Sequence, residues 1–127
     1  MIIAGTGHRP DKLGGHEWPV MDRLISLARD RMREHRPDRV ISGMALGWDQ
    51  SVAHAALEEQ IYLICAVPFK GCEKFWPTKS QDAFNLLLDQ ADEVHFICDQ
   101  QGPFKKAFQL RNEWMVDHSS LLIAIYN

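Results

Sequence analysis

The chain has 127 residues, 46% hydrophobic and 24% charged, which is typical of one globular domain because a second core would not fit in this length. Fourteen Lys and Arg against seventeen Asp and Glu give a net charge of −3, so the chain as a whole does not attract a phosphate backbone and nucleic acid is disfavoured as a partner. No apolar run approaches the ~20 residues of a membrane-spanning helix and Met1 leads into no basic or long apolar segment, so we expect a soluble, cytoplasmic protein with no membrane partner.

Short β-rich runs alternate with amphipathic helical stretches, without a linker or an internal repeat. The predicted strands are Met1–Ala4, Arg39–Ser42, Ile61–Val67, Glu93–Cys98 and Leu121–Tyr126. The predicted helices are Pro19–His35, Trp48–Glu59, Ser80–Gln90 and Phe104–Asp117. Near-continuous apolar runs are typical of strands covered on both faces, and parallel strands need right-handed crossovers. Residues 1–127 are therefore predicted to form a single α/β domain, a Rossmann-like doubly wound fold of about five parallel strands with helices on both faces.

The loop predicted after the first strand reads GTGHRP at residues 5–10. Glycines let backbone N–H groups approach a phosphate, and arginine adds a planar set of donors. Gly5, Gly7, His8 and Arg9 are therefore candidate ligand-binding residues. The dinucleotide pattern GxGxxG is incomplete, because Pro10 stands where its third glycine belongs and the helix begins too late. A glycine-rich turn with an exposed arginine is the alternative.

The second loop, SGMALGWD at residues 42–49, joins a strand to a helix N-terminus, a place that suits a phosphate or a ribose. Gly43 and Gly47 are candidate binding residues. Asp49 either bonds ligand hydroxyls or only complements the helix macrodipole. In the third loop, Phe69 and Trp76 either lie against a base or cover the end of the sheet.

Arg111 shares a helix face with apolar neighbours, so its guanidinium needs an anion unless its stem snorkels. We expect it to bind a ligand phosphate, with Asn112 beside it, and we expect Arg111→Ala to weaken that binding while the fold stays intact. Metal binding is not predicted, because the histidines and the cysteines Cys65, Cys72 and Cys98 show no ligand spacing. No cofactor is predicted either, and the thiols are expected to be reduced.

Taken together, these loops resemble the SLOG superfamily, specifically its small YspA-like branch. The resemblance spans nearly the whole chain and rests on GHRP, SGMALGWD, Val-Pro-Phe followed by Gly71 and Trp76, and Arg-Asn-x-x-Met at residues 111–115. The last element is also similar to the Arg-Lys-x-x-Met of lonely-guy cytokinin-activating phosphoribohydrolases and to the Arg-Asn of DprA-type DNA-processing proteins. The resemblance implies a Rossmann-like domain that binds nucleotide-derived ligands, and in the lonely-guy branch cleavage of an N-glycosidic bond.

One departure from the lonely-guy pattern concerns the end of the chain. Those enzymes follow the last strand with Pro-Gly-Gly-x-Gly-Thr-x-x-Glu, whose glycines cradle the phosphate and whose Glu takes part in catalysis. This chain ends at Asn127, one residue beyond the predicted strand. Either a Gly-Gly-Thr segment and a closing helix lie beyond Asn127, or this member binds without them.

The function expected from the sequence is binding or sensing of a nucleotide-derived small ligand at the carboxyl ends of the strands. The alternative is a nucleotide phosphoribohydrolase or related nucleoside-processing hydrolase, with Asp49, Asp117 and Arg111 as catalytic candidates. A DprA-like single-strand binder is disfavoured by the net charge of −3. Relatives of this kind commonly pair through helices, which leaves a homo-oligomer open.

Overall fold

The structure is a computed structural model, and it describes residues 1–7, 18–99 and 104–125. The strands are β1 (Ile2–Gly7), β2 (Arg39–Ser42), β3 (Tyr62–Val67), β4 (Glu93–Phe96) and β5 (Leu121–Ile125). The helices are α1 (Trp18–His35), α2 (Trp48–Glu58), α3 (Thr78–Gln90) and α4 (Phe104–Asp117), with a short 3-10 helix at Cys72–Phe75. In the described part of the chain, none of the helices is both long enough and apolar enough to span a bilayer.

The strands form one parallel sheet in the order β4-β3-β2-β1-β5. The pairing of β1 with β2 sets Ile2 opposite Arg39 and Gly5 opposite Ser42. These two strands are neighbours, so the loop that follows β2 starts beside the carboxyl end of β1. The predicted α/β fold with a parallel sheet is confirmed.

Helices cover the two faces of this sheet unequally. Alternate strand residues such as Val40 and Leu63 face a large core built with α1, α2 and α3. Their neighbours Ile41 and Ile64 face a smaller cluster, to which α4 contributes Met115. Successive strand residues point to opposite faces, so α4 is the one described helix on the second face. It crosses that face, because it joins the two edge strands β4 and β5. Helices on both faces were predicted, and this is confirmed.

The first strand is longer than predicted, because both of its glycines are paired with neighbouring strands. Gly5 pairs with Ser42 of β2, and Gly7 pairs with Ile125 of β5. The predicted loop beginning at Gly5 is therefore wrong, since the strand continues to Gly7. Gly5 is buried, and a Cβ built on it would lie 2.6 Å from Cγ2 of Val52. Its missing side chain thus allows α2 to pack on β1.

The remaining boundaries differ by a few residues. β3 begins at Tyr62, β4 ends at Phe96 and α3 begins at Thr78, directly after Pro77. The 3-10 helix Cys72–Phe75 was not predicted; it begins after Gly71, whose φ of 86° suits glycine.

Candidate functional site

A cavity of about 250 Å³ opens at the carboxyl ends of β2 and β3, where α4 faces the loop that follows β2. Ligands of open parallel sheets bind at these strand ends. The loop after β2, the segment after β3 and α4 all contribute lining residues. They are Gly43, Met44, Ala45, Leu46, Asp49, Pro68, Cys72, Trp76, Phe108, Arg111 and Asn112.

Buried polar side chains hold the loop after β2 in place. The Ser42 hydroxyl donates to the carbonyl of Asp49 at 2.6 Å and accepts from the Met44 N–H at 3.1 Å. The Gln50 amide donates to the Met44 carbonyl at 3.2 Å. Gly47 takes a φ of 90°, in the left-handed region that only glycine enters without strain. These bonds fix the position from which Asp49 enters α2.

Asp49 is a buried acid, with 4% of its surface exposed. The Ala45 backbone N–H donates to its carboxylate, and the charge of Arg111 acts on it. Burial outweighs both, and it raises the pKa of Asp49 from 3.8 to about 7. The helix macrodipole accounts for an acid in the first turn, but not for one withdrawn from water.

Arg111 is also buried, at 8% exposure. Its Nη1 donates to the carbonyl of Gly43 at 2.6 Å and its Nε donates to Oδ1 of Asn112 at 2.8 Å. The guanidinium carbon lies 5.7 Å from the centre of the Phe108 ring. From the sequence, we expected either that the side chain of Arg111 snorkels to solvent or that a ligand anion accepts hydrogen bonds from its guanidinium. In the structure protein groups satisfy it, because a buried cation needs partners wherever it sits.

Gly43 lies between these two charged side chains. A Cβ built on it would lie 2.7 Å from Oδ2 of Asp49 and 3.1 Å from Cδ of Arg111. Real Cβ atoms do not approach this closely, so the absence of a side chain lets α2 and α4 bring opposite charges to the end of β2. The structural role of Gly43 is therefore to make room for the pair.

Aromatic rings form another part of the lining. Trp76 is half-buried and meets Phe84 edge to face at 5.3 Å. Phe108 stacks on the buried Phe69 at 6.4 Å, and Phe69 stacks on Phe104 at 4.9 Å. Trp76 and Phe108 line the cavity, whereas Phe69 supports Phe108 from behind.

Sequence similarity identifies the family to which this chain belongs. Residues 3–127 match the family model of the YspA SLOG family. The chain belongs to the YspA SLOG family. The branch suggested by the motifs is thus confirmed.

Several Bacillus proteins are similar to this YspA SLOG chain. The uncharacterized SPbeta prophage-derived protein YoqJ of Bacillus subtilis (strain 168) is 29% identical over 123 residues, which cover 85% of this chain and 72% of that protein. UPF0398 proteins of Bacillus thuringiensis (strain Al Hakam) and Bacillus cereus (strain AH187) are each 26% identical over 137 residues, covering 99% of this chain and 74% of theirs. None of these names states an activity.

The YspA SLOG chain brings together only part of the predicted site. Gly43, Asp49, Trp76, Arg111 and Asn112 line the cavity. The other candidates do not line the cavity. Gly47 caps α2, and Phe69 stacks on the lining residue Phe108. Asp117 is exposed on α4, and Gly5 and Gly7 lie within β1. His8 and Arg9 lie outside the described residues. Among the acids that the structure describes, only Asp49 lines the cavity.

Six residues that line the cavity were not among the candidates: Met44, Ala45, Leu46, Pro68, Cys72 and Phe108. Phe108 precedes Arg111 by one helical turn, which places both on one face of α4. Burial, together with the charge of Glu73, raises the pKa of the Cys72 thiol to about 11. Cys72 therefore acts as a small neutral group in the lining, and only its place in the loop after β3 could have indicated it.

Metal ligands do not cluster in the parts of the chain described. Within residues 1–7, 18–99 and 104–125, no three His, Cys, Asp or Glu side chains come close enough to hold a metal ion. Cys65 is buried within β3, and burial raises its pKa to about 12. His16, one of the histidines of the first loop, lies outside the described residues.

Proposed function

We propose that this YspA SLOG protein binds a nucleotide-derived small ligand in the cavity that Asp49 and Arg111 line. The observation that carries the proposal is the burial of both opposite charges, at 4% and 8% exposure, in the lining of one cavity. Burying a charge pair costs several kcal/mol for each ion and adds little net stability. Perturbed ionisable groups that line a cavity are typical of functional sites.

The size and lining of the cavity support a small ring system. Its volume of about 250 Å³ lies just below the range of about 300 to 1,000 Å³ that is usual for small-molecule sites. Trp76 and Phe108 offer aromatic surface, and Asp49 offers hydrogen-bond acceptors. A base enclosed in the cavity, with the ribose and phosphate extending towards its opening, fits these dimensions.

Asn112 marks the exposed side of the cavity. Its side chain lines the cavity and is exposed to solvent, next to the buried Arg111. A phosphate on this side keeps part of its hydration, whereas a phosphate beside Asp49 would meet a carboxylate. We therefore assign the phosphate to the opening. A cytoplasmic location and a homo-oligomer stay predictions from the sequence.

A second candidate function, hydrolysis of an N-glycosidic bond, is favoured by one observation. Asp49 lines the cavity with a pKa of about 7, which is where a general acid or base works best at neutral pH. In this reaction Asp49 would protonate the leaving base or activate a water, and Arg111 would hold its charge. The bond between base and ribose would then have to lie next to Asp49.

One experiment tests binding and separates it from hydrolysis. The protein is titrated by calorimetry with purine and pyrimidine nucleoside monophosphates, and each mixture is then analysed by chromatography for free base. Saturable binding without free base supports the binding function. Release of base that Asp49→Asn abolishes supports the hydrolase. If no nucleotide binds, the proposed function is wrong.

A further inference from the structure

The ligand's orientation in the cavity follows from which groups the protein has already satisfied. Arg111 donates to the Gly43 carbonyl and to Asn112, and it lies over the Phe108 ring. Its cation is thus used inside the protein, where it balances Asp49. Arg111 acts here as a positioning residue whose charge favours the ionised carboxylate, although burial still raises the pKa of Asp49 to about 7.

Asp49 keeps acceptor capacity beyond its protein contacts. An ionised carboxylate has about four lone-pair sites. The Ala45 N–H takes one of them, and Arg111 lies on the same side as Gly43, whose Cβ position is 2.7 Å from Oδ2 of Asp49. Because Asp49 also lines the cavity, a ligand in the cavity can bond to the remaining sites. A carboxylate only accepts, so the ligand must donate.

The walls decide what kind of donor fits. Trp76 and Phe108 line the same cavity and favour a flat ring between or against them, since aromatic rings stack on planar groups. A base can therefore direct one of its edges to the carboxylate. Guanine has an edge with two adjacent donors, N1–H and the N2 amino group. Adenine and cytosine set an acceptor beside their amino group, which an ionised carboxylate repels.

We infer that Asp49 recognises the edge of a guanine-type base through two parallel N–H···O bonds, while the ribose and phosphate point to the opening beside Asn112. This inference rests on the proposed function and adds the identity of the base to it. The ionised form of Asp49 is required. Binding should therefore strengthen as pH rises through about 7, the pKa of Asp49.

Two other ionisable side chains line the described part of the cavity, and neither changes state in that range. Arg111 stays charged at any pH at which the protein folds. The Cys72 thiol stays protonated, since burial raises its pKa to about 11. The ligand phosphate, with a second pKa of about 6, titrates alike in all four nucleotides. A change in affinity around pH 7 that guanosine monophosphate shows and adenosine monophosphate does not would thus report Asp49.

The test compares the monophosphates of guanosine, inosine, xanthosine and adenosine by calorimetry. Wild type should bind guanosine monophosphate at least about tenfold more tightly than the inosine form, which lacks the 2-amino donor, because a hydrogen bond to a charged group contributes this much or more. Asp49→Asn presents one donor and one acceptor. This variant should therefore lose affinity for guanosine monophosphate and prefer xanthosine monophosphate. The O2 atom of xanthine accepts a hydrogen bond at the position where the 2-amino group of guanine donates one.

A matched control and separate outcomes keep the inference distinct from the proposed function. Asp89→Asn removes an exposed carboxylate from α3 and should bind like wild type. If Asp49→Asn does not fold, the ratio of guanosine to inosine monophosphate affinity in wild type decides alone. Equal affinity for all four nucleotides overturns the guanine assignment and leaves nucleotide binding standing. Binding of none overturns both.

Discussion

Two pairs of oppositely charged side chains in this protein show how solvent changes the ionisation of an acid. Arg33 on α1 and Glu59 at the end of α2 form an exposed pair with an N···O distance of 2.7 Å. The hydrogen bond from Arg33 lowers the pKa of Glu59 below its usual value. Asp49 also faces an arginine, yet burial raises its pKa to about 7. An acid that is hard to ionise contributes little to stability, so the buried pair supports the binding role that we propose for the cavity.

The largest effect should follow removal of the buried cation. We expect Arg111→Ala to lower the free energy of unfolding by about 3 to 5 kcal/mol, the usual loss when one partner of a buried pair is removed. The burial and bonds of Arg111 thus reverse the sequence-based expectation of an unaffected fold. Urea unfolding at pH 5 and pH 8 measures the loss. It should be smaller at pH 5, where the stranded Asp49 is protonated, and equal losses would contradict this account.

The second-largest effect should be a change in the pH dependence of stability when Asp49 is replaced. Its pKa rises from 3.8 to about 7 on folding, so the folded protein binds more protons than the unfolded chain between these values. Stability therefore falls as pH rises through this window, by on the order of 4 kcal/mol. Asp49→Asn should remove that slope. Unfolding curves of both proteins from pH 4 to pH 8 measure the difference, and parallel profiles would argue against a buried, titrating Asp49.

A smaller effect should follow from filling the space between the charges. Gly43→Ala places a Cβ 2.7 Å from Oδ2 of Asp49, and overpacking of this kind destabilises by about 1 to 3 kcal/mol. Nucleotide affinity should fall as well, because the pair must separate. The matched control is Gly5→Ala, whose added Cβ would lie 2.6 Å from Cγ2 of Val52. It should lose similar stability and keep its affinity, measured by the same calorimetric titration.

The smallest effect should come from the exposed pair. Arg33→Ala removes a side chain that is 62% exposed, and water and salt already screen most of its attraction to Glu59. We expect no resolved change in the urea midpoint at physiological salt and no change in nucleotide affinity. A loss comparable to that of Arg111→Ala would remove the contrast between the two pairs.

Much of the fold was predictable because apolar periodicity reports burial directly. Arg39–Ser42 and Phe104–Asp117 have the bounds predicted for β2 and α4. The end of β1 was missed because glycine has a low strand propensity. Pairing with β2 and β5 nevertheless holds Gly5 in the sheet, and pairing with β5 holds Gly7. Tertiary pairing of that kind leaves no local signal.

The site was predictable in its residue types but not in its pairings. Asp49 and Arg111 were identified because polar residues stood at a strand end or on an apolar helix face. Their proximity depends on α4 crossing the sheet, which the sequence does not encode locally. Cys72 was missed because a neutral, small side chain carries no pattern. That Arg111 binds a ligand phosphate stays a prediction, and the sequence held no signal for its bond to the Gly43 carbonyl.

The path of α4 across the sheet also bears on when this protein becomes competent during synthesis. Strands β1 to β4 add one beside another with helices on a single face, so a nascent chain can build them in sequence. The bond from Arg111 to Gly43 joins residues 68 positions apart, and contacts of such long range form late. A nascent chain that has emerged from the ribosome only as far as β4 therefore contains most of the core, but it does not yet contain the Arg111 that meets Asp49. The ligand binding that we propose for the cavity therefore requires a chain that has been synthesised through α4.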